Sequence, residues 1–257
     1  MKKIFTPLEN PAIDVGGGID RISIPYRKGG VKAPFFLMGF ISLICLGLIF
    51  CSRVAPEKGL EVQGKKIISH KPPFTLMLPS EFNLMHSSSV EYPKENSLTR
   101  SYFLIKEKDK QVEEMFIVQI ADRANPQAEP MSAPPLRPDS EKRMHLKGKI
   151  KKGDLAVDSM IQLMRWNPDA PSLQSIVKKS VAIPSHWAIQ GQFLFVFQGE
   201  HAVFIRYSKD VHSFGLKISE EGKDWERDSI SGNEKKSYET FQKICMEMIH
   251  SMIIEPL

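Results

Sequence analysis

The stretch Asp154-Leu-Ala-Val-Asp-Ser-Met-Ile-Gln-Leu-Met-Arg-Trp-Asn-Pro168 decides the fold class. Asp154 stands where a helix cap belongs, and Leu155, Val157, Met160, Ile161 and Met164 read as one broad apolar face that ends at Asn167-Pro168. The spacing predicts a helix here. A second, longer one closes the chain: Ser231-Gly-Asn-Glu234 has capping-box spacing, and Phe241, Cys245, Met248 and Met252 follow at i, i+4, i+7 and i+11. Ile253 and Ile254 then suit a short terminal strand before Pro256.

Strands surround these two helices. Phe74, Leu76 and Leu78 alternate with Thr75 and Met77 up to Pro79, as in a half-buried strand. Leu98 to Lys106 and Val112 to Ala121 form the next pair across the charged turn Glu107-Lys-Asp-Lys110, and apolar residues on both faces of the second mark a central strand. Five prolines between Pro126 and Pro138 cannot pair in a sheet, so residues 122–140 read as a proline-rich surface loop or flap. Met144, Leu146 and Ile150 alternate with basic residues, a one-sided strand. Ile176 to Ile183 fits strand or helix and leans to strand on its β-branched residues, while Phe193 to Phe197 and Ala202 to Ser208 flank Gln198-Gly-Glu-His201 as a hairpin. The fold expected for residues 72–257 is therefore α+β, an antiparallel sheet covered by two helices.

Upstream lies a different kind of segment. Residues 33–52 carry no charged side chain and hold four Phe, four Leu and three Ile, from Ala33 through Phe36, Phe40, Leu43, Leu46 and Ile49 to Ser52. As a helix this run covers about 30 Å, the hydrocarbon thickness of a bilayer. It reads as a single membrane-spanning helix, an uncleaved signal anchor, with the lipid bilayer as its partner. Residues 1–32, broken by Pro7, Pro11, Pro25 and two glycine runs, form a mostly irregular tail, and 53–71 a polar connector. The basic cluster nearest the membrane, Arg27, Lys28 and Lys32, is N-terminal, which places the N-terminus in the cytoplasm and the large domain in the extracytoplasmic, periplasmic space.

The net charge of +5 comes largely from the tail, where six basic residues face three acidic ones, leaving 29 basic and 27 acidic side chains beyond it. A near-neutral domain gives no footprint for nucleic acid. Of the three cysteines only Cys245 lies past the apolar run, so no internal disulfide framework is available to the domain.

Candidate chemistry is sparse. Cys245-Met-Glu-Met-Ile-His250 offers soft copper ligands, but at helical spacing Cys245 and Met248 share a stripe with Phe241 while Glu247 and His250 point elsewhere, so core packing is the better reading. The seven histidines are scattered singly without HxH, HxxxH or HExxH spacing, and no serine sits in a GxSxG elbow. Neither a catalytic site, a metal site nor a cofactor is expected. Trp166, Trp187 and Trp225 with His186 could line a pocket, though core positions are the commoner use of such residues. Arg143, Lys147, Lys149 and Lys151 make one strand face strongly basic. With Arg27, Lys28 and Lys32 they are candidate contacts to anionic lipid or a partner, worth about 1 kcal/mol per basic residue near such a surface; the plainer reading is a solvated edge strand.

The strand Pro72-Pro-Phe-Thr-Leu-Met-Leu-Pro79, antiparallel strands, an intervening helix, a further hairpin and a final helix ending in Met252-Ile-Ile form an order that resembles the PsbP/Mog1-type α/β sandwich over residues 70–255. The basic strand and the proline-rich flap depart from that pattern. Members of that family are mostly accessory or assembly proteins, and the resemblance implies the same here, with no catalytic residue carried across. The expectation is a membrane-anchored, non-enzymatic accessory or assembly subunit with a membrane-protein partner. A small-molecule or lipid-binding extracytoplasmic module, with a pocket between the sheet and the C-terminal helix, is the alternative, and a membrane-tethered hydrolase the third.

Overall fold

Leu155–Arg165 is a strand, and the α+β expectation falls with it. As a helix, Leu155 and Met164 would lie on opposite sides, nine steps of about 100° apart. As a strand, Leu155, Val157, Ile161 and Leu163 face one hydrophobic cluster while Met164 joins another on the reverse face. Apolar residues crowd the stretch because both faces are covered, which blurs a period of two into something close to helical.

The structure, a computed structural model, describes residues 59–93, 96–219, 222–226, 230 and 232–255. In chain order the strands are β1 (Leu60–Gln63), β2 (Lys66–His70), β3 (Pro73–Met77), β4 (Asn83–Tyr92), β5 (Ser97–Lys108), β6 (Gln111–Arg123), β7 (His145–Lys152), β8 (Leu155–Arg165), β9 (Trp187–Phe197), β10 (His201–Asp210) and β11 (Ile253–Ile254). The α-helices are a single turn, α1 (Gln174–Val177), and the long α2 (Gly232–His250). Pairing is antiparallel in both sheets, a four-stranded one in the order β1-β2-β3-β11 and a seven-stranded one in the order β4-β5-β6-β10-β9-β8-β7. The described chain is mostly β, with one covering helix of any length rather than two.

One face of the large sheet carries the main core. Helix α2 buries Tyr238, Phe241, Cys245, Met248 and Ile249 against it. Phe241 stacks on Tyr207 of β10 with ring centroids 5.2 Å apart, and the Tyr238 hydroxyl donates to the Ile161 carbonyl at 2.6 Å. Gly191 of β9 lies beneath the helix, where a Cβ would sit 2.7 Å from the Cys245 sulfur. Beside the helix the small sheet presses Phe74 of β3 edge-on to Phe195 of β9 at 6.1 Å, and β11 ties the end of α2 back to β3.

The reverse face is divided. At one end residues 166–183 fold over it, setting Trp166, Leu173 and Ile176 on Phe103, Ile105, Met115 and Ile117. Ile176 to Ile183 is thus not a strand: it is the end of α1, a turn over residues 178–180 and a single parallel bridge between Ala182 and Gln111. Ile176, Val181 and Ile183 are buried by packing across the sheet and not by pairing in it, while Val177 is exposed. The proline-rich flap leaves β6, crosses toward β7 and docks through Met131 N–H on the Gly199 carbonyl at 2.8 Å and Asp139 N–H on the Gln162 side-chain oxygen at 2.7 Å.

Two further differences concern segments without a strand expectation. Residues 60–70 of the polar connector form the hairpin β1–β2, which buries Leu60 and Ile67 inward. Strand β4, with its serine run, is an exposed edge. The tail 1–32, including Arg27, Lys28 and Lys32, and the apolar run 33–52 lie outside the described residues. Among the described residues no helix is long and apolar enough to cross a membrane.

Candidate ligand pocket and a histidine-aspartate cluster

Glutamines placed mid-strand in apolar surroundings build the polar half of the reverse face. Gln162 on β8, Gln190 and Gln192 on β9 and Ser208 on β10 form a buried chain: the amides of Gln162 and Gln192 donate to the Gln190 oxygen at 3.3 and 2.7 Å, and Gln190 donates to Ser208 Oγ at 3.0 Å. A second chain runs from Arg206, which donates to Gln119 Oε1 at 3.0 Å, to Ser101, which accepts from the Gln119 amide at 3.2 Å. Buried amides of this kind are tolerated because each is hydrogen-bonded.

Register brings Arg206, Ile117, Phe103 and His86 into one row from β10 to β4. Above this row is a cavity of about 240 Å³, closed at one end by Pro171 and Ser175. Phe103 and Ile117 give it apolar walls; Thr99, Ser101, Gln119 and Arg206 give it polar ones, and among the described residues no acidic side chain lines it. Thr99 Oγ1 and Ser175 Oγ are buried there without a hydrogen-bond partner. Arg206 is 7% exposed and its guanidinium carbon lies 4.3 Å from the centroid of the Phe204 ring; burial pulls its pKa down to about 10, so it remains a cation at neutral pH. The space between sheet and α2, where a pocket was the alternative expectation, is filled by the main core instead.

On the main-core face Glu114 is a second buried polar centre. Its carboxylate accepts from Lys106 at 2.9 Å, from Tyr207 at 2.7 Å and from Ser80 at 3.1 Å, with Lys209 Nζ 3.3 Å away. Burial alone would raise its pKa, but the hydrogen bonds from Lys106 and Tyr207 and the nearby lysine charges outweigh it and hold the carboxyl below its ordinary value. The same site pushes the Tyr207 hydroxyl up, through burial and the Glu114 charge. Every group here is committed to another, which marks a structural anchor.

At the far end of β9 and β10 three metal-ligating side chains converge. His186 Nε2 lies 2.8 Å and His212 Nδ1 3.6 Å from Asp210 Oδ1, and the two imidazole rings are 4.3 Å apart. The three tryptophans do not join His186 in one pocket: Trp166 is buried in the smaller cluster, Trp187 and Trp225 in the main core. Cys245 is fully buried, which raises its thiol pKa, while His250 is exposed, so the soft-ligand set does not assemble.

The basic strand is β7, an edge of the large sheet. Lys147 reaches Glu141 at 3.9 Å and Lys149 reaches Asp158 at 3.5 Å, while Lys151 is exposed. Arg143 is held by Asp139 at 2.7 Å and lies 4.6 Å from the centroid of the Trp187 ring. Ser175-Ile-Val-Lys178 has the spacing of a serine–lysine nucleophile motif, but the buried Ser175 hydroxyl has no partner and Lys178 is exposed.

Sequence reasoning passed over Arg206, Gln119, Thr99 and Ser101. The legible signal was glutamine recurring inside apolar strands, as in Ile189-Gln-Gly-Gln-Phe193. No family model, no curated protein and no solved structure matches this chain. None of these comparisons bears on the resemblance to the PsbP/Mog1-type sandwich, and the intervening helix in its element order is strand β8.

Proposed function

We propose that this protein is a non-enzymatic binding module, anchored at a membrane through residues 33–52, whose extracytoplasmic domain takes a small acid in the cavity beside Arg206. The observation that carries the reading is a buried guanidinium in a wall with apolar neighbours, unsatisfied hydroxyls and, among the described residues, no carboxylate. A carboxylate or phosphate there gains charge-assisted hydrogen bonds in a weakly hydrated site. The cavity is below the roughly 300–1,000 Å³ usual for drug-sized ligands, which suits a compact molecule. Thr99 and Ser175 supply hydroxyls for its polar edge, and Phe103 and Ile117 hold its apolar body.

A thermal-shift titration of the full chain in mild detergent, against a panel of small aliphatic carboxylates, aromatic carboxylates and phosphate monoesters, tests this. A ligand at a hundred times its Kd stabilises by about 2.7 kcal/mol, which in a domain of this size raises the melting temperature by about 5–10 °C. Arg206→Met, of similar length and without charge, is expected to abolish the shift. Absence of any shift in the wild type, or an equal one in the variant, contradicts the reading.

The accessory-subunit reading keeps one observation of its own. Met77 and Ile253 are exposed apolar side chains on neighbouring strands of the small sheet, where Ile253 pairs with Thr75. Such a pair suits contact with a membrane-protein partner.

A further inference from the structure

We propose that His186, Asp210 and His212 form a zinc-binding site with an open coordination position. None of the three lines the Arg206 cavity, so the inference stands apart from the ligand reading. One ligand atom from each of the three, an imidazole nitrogen or a carboxylate oxygen, lies within 4.8 Å of the others. Tetrahedral zinc with Zn–N and Zn–O bonds of about 2.0–2.2 Å spaces its ligand atoms about 3.3–3.5 Å apart. The distances of 2.8 and 3.6 Å from Asp210 Oδ1 to the two imidazole nitrogens bracket that spacing, so small rotamer changes suffice.

The backbone already fixes the set. His186 directly precedes β9, and its carbonyl accepts from the Trp166 N–H at 2.9 Å. Asp210 ends β10 and pairs with Ala188 of β9. Its Oδ1 accepts from the His212 N–H at 3.0 Å, capping the 3-10 turn Val211–Phe214 that presents the second imidazole. On metal binding His186 Nε2 releases to solvent the proton it shares with Asp210 and bonds to zinc, the neutral ring then carrying its one proton on Nδ1.

Two imidazoles and one carboxylate suit zinc: thiolates would be expected for Cu(I), and an all-oxygen set for magnesium or calcium. The side chains grade from 16% exposed for Asp210 to 53% for His212, so the fourth position faces solvent and would hold water.

The full chain in mild detergent, stripped of metal, is titrated with zinc against a chromophoric chelator. The expected result is one tight zinc per chain, weakened by at least about 10–100-fold, the range for loss of a mere supporting residue, in both His212→Ala and His186→Asn. His212 is half exposed, so its removal leaves the core intact, and circular dichroism confirms the fold. His70→Ala, at an unrelated exposed histidine, is expected to bind as the wild type does. Absence of tight zinc in the wild type overturns the proposal. So does affinity that survives His212→Ala or is lost in His70→Ala.

Discussion

Replacing Phe241 by alanine is expected to destabilise the domain by about 3–5 kcal/mol, the usual cost of removing a large buried aromatic. Phe241 is fully buried where α2 meets the large sheet, stacked on Tyr207 and edge-on to Phe214 at 6.3 Å. Tyr207 is itself packed against Phe116 and Phe82, which limits how far it can move into the space. At about 2–4 °C per kcal/mol for a domain of this size, the melting temperature falls by roughly 10 °C. Thermal unfolding of the full chain, followed by circular dichroism, measures it. A loss below about 1 kcal/mol, smaller than typical core truncations, would mean that α2 is not seated on the sheet as described.

The second large effect is expected from Glu114→Gln. The variant keeps the shape of the side chain but leaves Lys106 and Lys209 without their shared carboxylate. Breaking a buried ion pair by removing one partner costs about 3–5 kcal/mol; here the lower end applies, because both lysines can reach water. The pH dependence identifies the cause. A carboxyl whose folded pKa lies below its ordinary 4.5 contributes stability that is complete above that value and is lost as pH falls through the folded pKa. The gap between wild type and variant is therefore expected to be largest near neutral pH and to narrow below pH 4.5 in urea-unfolding midpoints. A gap unchanged between pH 7 and pH 3 would assign the loss to shape instead of charge.

Much of the strand content was legible because alternation survives wherever one face is wetter than the other. The β5–β6 and β9–β10 hairpins, the proline-rich flap and α2 follow from local patterns: charged or glycine turns, prolines that cannot pair, and an i, i+4, i+7 stripe through Phe241, Cys245 and Met248. Strand β8 was not legible, since burial on both faces put apolar residues at odd and even positions alike. Strand β4 failed for the opposite reason. As an exposed edge with Ser87, Ser88 and Ser89 it lacks the apolar alternation that announces a strand.

The candidate sites were hidden by distance along the chain. Arg206 and Gln119 are 87 positions apart and meet only because β10 pairs with β6. His186 and Asp210 meet through the β9–β10 register, which local spacing cannot reveal. Scattered single histidines argued against a metal site only so long as the topology was unknown.

Native mass spectrometry of the full chain, purified from cells in mild detergent, tests the binding-module reading most directly. The wild type is expected to carry a small acidic molecule at one per chain, released on denaturation and absent from Arg206→Met. A wild-type chain that carries no small molecule and instead holds a protein partner in fixed ratio would contradict the account and favour the accessory subunit.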